Sequence, residues 1–221
     1  MTIKIYQFPT FRIERQLFHT PGAGYDGGLT SGGAQFISPE PGGFGVLEIA
    51  PAIIDTEWDV PLASWVMSKI SGQVFRVRLA PSPQVAYSRK RGMMAVPWDN
   101  GQSWSNQEDW DGDFTATFAA ASLKGTTTVQ FDLTGVGPIV GPGHVIGHEY
   151  DCYLVDEITY DGDVATATIT PPLRRDVGAG DNCYLRPWFT GRISNGGDIR
   201  DAYNSLGHVK PGNIILHEAI V

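Results

Sequence analysis

Tyr150-Asp151-Cys152-Tyr153-Leu154-Val155-Asp156-Glu157-Ile158 is answered, across a compact turn at Tyr160-Asp161-Gly162-Asp163, by Val164-Ala165-Thr166-Ala167-Thr168-Ile169. Both runs are rich in β-branched and aromatic residues, and the Asp-Gly pair between them supplies the backbone freedom a tight reversal needs. The expected product is an antiparallel hairpin. Upstream, Phe114-Thr115-Ala116-Thr117-Phe118-Ala119 alternates and Thr126-Thr127-Thr128-Val129-Gln130-Phe131-Asp132-Leu133 is strongly β-prone. Gly135-Val136-Gly137-Pro138 and Gly141-Pro142-Gly143 read as turns. Downstream, Gly178-Ala179-Gly180-Asp181 turns the chain and Asn182 to Leu185 returns it to the sheet.

Further out, Gln73-Val74-Phe75-Arg76-Val77-Arg78-Leu79 alternates cleanly, with Val74 or Phe75 starting the buried side, and Val46 to Ile54 reads as another strand. Ile3 to Phe18 reads as one or two strands broken near Pro9. Only 61–71 has a helical period, with Leu62, Trp65, Val66, Lys69 and Ile70 on one face. Pro61 suits a first-turn position there and Gly72 suits the stop. The expectation is therefore a mainly β protein, an antiparallel barrel or sandwich-like fold with one short helix near residues 61–71.

Composition agrees. Gly 27 and Pro 15 in 221 residues favour turns over long helices, while 42% hydrophobic residues supply a core. Charged residues reach 18%, below the roughly 25% of an ordinary soluble domain, so polar uncharged groups or other proteins must cover part of the surface. The net charge of −8 offers no field for a phosphate backbone, so no nucleic-acid partner is expected. No apolar run approaches the ~20 residues that cross a bilayer, and Met1 to Tyr6 shows no apolar signal core, so synthesis in a cytosol is expected.

The expected organisation has three parts: 1–45, a strand plus a Gly-rich arm or loop; 46–190, a β-rich core that divides into one or two subdomains; and 191–221, an extension ending in a strand. Between Pro21 and Gly45, nine glycines are interleaved with Tyr25, Phe36 and Phe44. No Lys-Ser/Thr ending follows them, so this is no phosphate loop. It reads either as an arm that orders against a neighbour or as a plain surface loop. Between Val85 and Asp113 the chain is polar and carries Trp98, Trp104 and Trp110, with Asn100-Gly101 as a hairpin-turn pair. Those tryptophans suit a sugar or peptide platform, a lid over the core, or a subunit contact. The apolar end, Ile214, Ile215 and Leu216 through Val221, reads as a strand paired into its own sheet or a neighbour's.

Candidate chemistry is sparse. His144 and His148 would share a helix face at zinc-site spacing, but Gly141, Pro142, Gly143 and Gly147 argue against the helix. In a strand, four residues of separation put the two Cα atoms roughly 13 Å apart. Asp161-Gly162-Asp163, Asp111-Gly112-Asp113 and Gly180-Asp181-Asn182 lack the twelve-residue calcium pattern and read as turns. Asp55 with Glu57 is a pair of strand-spaced carboxylates without a reason for split pKa values, and Ser64, Ser68 and Ser71 lack a nucleophile elbow. Cys152 and Cys183 each lie in a strand-like run and read as buried thiols rather than a disulfide. No catalytic, cofactor or metal residues are assigned, and no enzyme is expected.

The layout Trp58-Asp59-Val60-Pro61-Leu62, Trp65-Val66-Met67-Ser68-Lys69-Ile70-Ser71-Gly72 and Val74-Phe75-Arg76-Val77 resembles the amino-terminal half of small tail proteins of tailed bacteriophages. The later half follows the same order: a strand region at Gly125 to Leu133, the Gly141 to His144 turn, a strand around Tyr153-Leu154-Val155, then Ile169-Thr170-Pro171-Pro172-Leu173-Arg174 leading into Val177-Gly178-Ala179-Gly180-Asp181. The resemblance spans 45–190, departs from the usual Gly-Asp at Gly143-His144, and finds no counterpart for the Gly-rich and Trp-rich segments.

It implies a virion component of the tail tip, made in the host cytoplasm. Such a distal tail or hub-adaptor protein forms a ring with copies of itself and joins the tail tube to tip or baseplate proteins. On that view Tyr25, Phe36, Phe44, Trp98, Trp104, Trp110, Ile214, Leu216 and Val221 are the interface candidates. A carbohydrate-binding module using the tryptophans and a head–tail connector protein are the alternative expectations.

Overall fold

A computed structural model describes residues 4–9, 13–20, 24–29, 35–39, 43–51, 65–66, 68–69, 72–80, 95–96, 110–111, 115–134, 136–196 and 213–220. The fold is mainly β. The chain divides into two compact units: unit 1 is Met1–Arg78 with Trp188–Val221, and unit 2 is Leu79–Pro187. The divisions therefore fall after residues 78 and 187, not after residue 45, and unit 2 is inserted between two strands that pair with each other in unit 1.

Unit 1 contains a six-stranded sheet. Its members are β1 (Ile5–Gln7), β2 (Ile13–His19), β5 (Val46–Pro51), β6 (Val74–Arg78), β15 (Trp188–Ile193) and β16 (Ile214–Glu218), in the order β1-β6-β15-β16-β5-β2. Ile3 to Phe18 does yield two strands, but they lie at opposite edges of the sheet, β1 parallel to β6 and β2 antiparallel to β5. The register Phe75↔Gly191, Val77↔Phe189 and Ile193↔Leu216↔Leu47 places these residues on one face, and all are buried. Alternation in β6 thus resolves to the Phe75 side, although Val74 is buried too. Phe75 also meets Phe8 and Trp65 edge-on, at 5.8 Å and 6.2 Å between ring centroids. Residues 65, 66, 68 and 69 have helical backbone; the remainder of the expected 61–71 helix lies outside the described residues.

The Gly-rich segment contains a hairpin, β3 (Gly24–Leu29) with β4 (Gln35–Pro39), antiparallel and bulged between Asp26 and Leu29. It is therefore not an irregular loop throughout.

Unit 2 holds a short pair, β7 (Ala95–Val96) with β8 (Trp110–Asp111), and six further strands: β9 (Thr115–Phe118), β10 (Thr128–Asp132), β11 (Val145–His148), β12 (Asp151–Asp161), β13 (Val164–Thr170) and β14 (Asn182–Tyr184). Their pairings close as β10-β13-β12-β11-β14-β9, with β9 returning to β10, which makes a closed barrel. Inside it, large residues face small ones: Phe131 opposes Ala165, Val129 opposes Ala167, and Cys183 opposes Ala116. This alternation fills a narrow barrel without overpacking it.

The β12–β13 hairpin forms as expected, with Gly162 at φ +62 in its turn. Strand β11 answers the choice between helix and strand at His144 to His148 in favour of the strand, despite Gly147 within it. That glycine is required, because a Cβ there would lie 2.3 Å from the Pro187 Cβ and 2.8 Å from the Asp151 carbonyl oxygen. Strand β11 also separates the cysteine strands, since Gly147 pairs with Cys152 on one side and Tyr184 on the other. Two inter-strand steps span roughly 9.5 Å, beyond disulfide reach. Both cysteines are buried and neither is bonded to the other.

Candidate assembly surface

The second face of the unit 1 sheet is built from the residues that alternate with its core. The register Arg192↔His217↔Val46↔His19 runs across four strands, and the adjacent row is Ile215↔Glu48↔Leu17. Val46, Val74 and Thr190 are buried on this face, whereas Arg192 and His217 are exposed. Leu17 is 46% exposed and Phe44, just ahead of β5, is 42% exposed. The Phe44 ring lies 5.2 Å from the His217 ring, tilted by 48°. One side-chain and one backbone hydrogen bond fix this corner: the Gly45 N–H donates to Glu218 Oε2 at 2.7 Å, and the Glu218 N–H donates to the Gly45 carbonyl at 2.9 Å. Phe44 is therefore held out by a locked backbone. A Cβ on Gly45 would meet the Phe18 ring at 2.8 Å, so any larger residue there would have to displace that ring.

Charge on this face is mainly positive. Arg15 and Arg192 are exposed, and His19 Nε2 lies 3.3 Å from Glu48 Oε1. Further along the face, the Arg76 and Arg78 guanidinium groups lie 4.6 Å and 5.5 Å from the Trp188 ring centroid, a cation–π arrangement that stiffens all three side chains.

Of the expected interface residues, Phe44 belongs to this surface. Ile214 and Leu216 do not: both side chains are buried in the chain's own sheet, where β16 lies between β15 and β5. The apolar end of the chain is a central strand, and central strands bury both their edges and one face. Tyr25 lies in β3, Phe36 in β4 and Trp110 in β8; Trp98, Trp104 and Val221 lie outside the described residues, as do Asn100-Gly101, Asp55, Glu57, Ser64 and Ser71. Leu17, Arg192 and His217 were not anticipated. Leu17 had a signal, being the apolar residue in the polar phase of β2.

The candidate chemical groups are occupied by structural tasks. His144 Nδ1 lies 2.8 Å from both the N–H and the carbonyl oxygen of Gly141, and closes the Gly-Pro-Gly turn. His148 Nδ1 is 3.2 Å from the Asn182 carbonyl, with its ring edge-on to Phe118 at 5.5 Å. The two histidines therefore serve different turns, and no group of three or more potential metal ligands converges among the described residues. Asp181 accepts from the Gly178 N–H at 2.6 Å, and Ser68 donates to the Trp65 carbonyl at 2.7 Å. Asp132 accepts from the Thr134 hydroxyl and N–H, and those bonds hold its carboxyl below the usual range.

Buried Asp151 accepts from Arg175 Nε at 2.6 Å, and the same guanidinium reaches Glu149, a residue with φ +49 at the tip of the β11–β12 turn. Hydrogen bonding to Asp151 raises the Arg175 pKa. This cluster pins a strained turn. Burial pushes the Cys183 thiol up to about 12, which makes it a poor nucleophile.

No known protein family matches this sequence. No curated protein matches it either.

Proposed function

We propose that this chain is a structural subunit of a bacteriophage tail tip, a distal tail or hub-adaptor protein that forms a ring and joins the tail tube to tip or baseplate proteins. The order of motifs between residues 45 and 190 suggests the tail proteins. The observation that carries the contact role is the pair Leu17 and Phe44, exposed on one sheet face beside Arg192 and His217. Burying the exposed part of those two side chains would contribute about 2 kcal/mol each at most, enough to anchor a contact once surrounding polar groups exclude water.

The test is made on particles. Purified virions should contain the chain in multiple copies, immunogold should place it at the tail tip, and its deletion should leave heads without functional tails. Virions that lack the protein, assembled normally in its absence, would contradict the reading. Binding of glycans by an isolated monomer would shift the assignment to a carbohydrate-binding module.

A further inference from the structure

The two units differ sharply in charge. Unit 1 carries nine Lys and Arg against ten Asp and Glu, whereas unit 2 carries seven against fourteen. The net formal charge is thus −1 for one unit and −7 for the other. Against that background, the unit 1 sheet face is locally basic, with exposed Arg15, Arg192 and His217 around exposed Leu17 and Phe44.

In unit 2, β12 runs alongside β11 only from Asp151 to Leu154. A bulge between Val155 and Glu157 interrupts its register, and from Glu157 to Asp161 its described partner is β13 alone. The outer half of the hairpin thus offers a strand edge, and it is acidic: Asp156, Glu157, Asp161 and Asp163 are all exposed. Tyr160, exposed beside them, donates its hydroxyl to the Val140 carbonyl, which ties the ring to the connection between β10 and β11.

We infer that the acidic outer half of the β12–β13 hairpin of one copy seats on the basic, apolar sheet face of unit 1 of the next copy. The inference rests on the ring reading above and names its two surfaces. The surfaces are different and complementary, so the contact is heterologous, the type that closes a ring or extends a filament rather than a symmetric dimer. Opposite charge orients the approach, and Leu17 with Phe44 supplies the area that water leaves. Acidic residues on a strand edge also prevent indiscriminate sheet pairing, so the same side chains reject wrong partners. Because the charged groups are exposed, the association weakens as salt rises.

The test is a charge swap in the full chain, read by light scattering or sedimentation over a range of concentration and salt, with far-UV circular dichroism confirming that each variant folds. Arg192→Glu alone, and Asp161→Lys with Asp163→Lys, should each weaken self-association at least tenfold. Mixing the two variants, each keeping one intact surface, should restore a one-to-one complex through reversed charges on the altered pair or native charges on the intact pair. Unchanged association in the folded variants would overturn the inference, as would a symmetric dimer or a wild-type chain that stays monomeric at all concentrations. None of those outcomes would remove the protein from a virion in which it had been found, so the tail assignment is judged separately.

Discussion

The barrel of unit 2 and the sheet of unit 1 each bury an apolar layer, yet they are put together in opposite ways. The barrel comes from one uninterrupted stretch, and its strands close on themselves, so no strand in the ring depends on the chain ends. The sheet is drawn from both ends of the chain and, among the described residues, is open with β1 and β2 as its outer strands. Closure completes a structure internally, whereas an open sheet leaves a face and edges to be dealt with by other means. The difference is one of construction: the barrel's pairings are completed within one contiguous stretch, whereas the sheet depends on strands brought together from distant parts of the chain.

The largest expected effect lies in the barrel. Phe131→Ala removes a fully buried ring that opposes Ala165, and small neighbours cannot collapse into the space. Denaturant unfolding should show a loss of about 4 kcal/mol in unit 2, with amide protection in β5, β6 and β16 retained. Equal loss of protection in both units would break the comparison, because it would make them one cooperative body. Next is Arg175→Met, which leaves the buried Asp151 carboxylate without its guanidinium. A cost of about 2 kcal/mol is expected, concentrated at the β11–β12 turn and measurable by hydrogen exchange there.

What could be read in advance follows the same division. The β12–β13 hairpin was legible because its strands and turn are contiguous: Asp161-Gly162-Asp163 carries the signal and needs no distant partner. The turn role of Asp181 was legible for the same local reason, whereas the buried, unbridged cysteines were expected from their number, a lone pair being no disulfide framework. By contrast, β15 hides behind Pro187 and Gly191, and a Cβ at Gly191 would lie 2.7 Å from the His217 carbonyl oxygen. A glycine that reads locally as a strand breaker is there because a neighbouring strand approaches closely. The sheet face was only partly legible: Phe44 stood out, whereas Arg192 and His217 become neighbours only through the β15–β16 register, a long-range pairing without a local signature. Ile214 and Leu216 misled because an apolar terminus looks the same whether it pairs within the chain or between chains.

A smaller effect sharpens the picture of the barrel interior. The Cys183 pKa of about 12 in the folded chain compares with an ordinary value of 9.0, the shift arising from burial. Below pH 9 the thiol is neutral whether the chain is folded or not, and it adds no pH dependence. Between about 9 and about 12 only the unfolded chain ionises, so stability falls as pH rises through that window. The stability difference between wild type and Cys183→Ala should accordingly be flat below pH 9 and shift against wild type above it, and alkylation at pH 8 should wait for unfolding. The smallest effect is expected at Leu123, 72% exposed on unit 2. Leu123→Ser should change stability by less than about 0.5 kcal/mol in thermal or denaturant melts.

The central claim, that this molecule's partly exposed sheet face and acidic hairpin are completed by other copies, is tested most directly by hydrogen–deuterium exchange of the full chain at low and high protein concentration. Protection should rise with concentration at β2, at Phe44 to Leu47 and along the outer half of β12–β13, while β10, β11 and β14 stay constant. A protection map that is the same at every concentration would contradict the account.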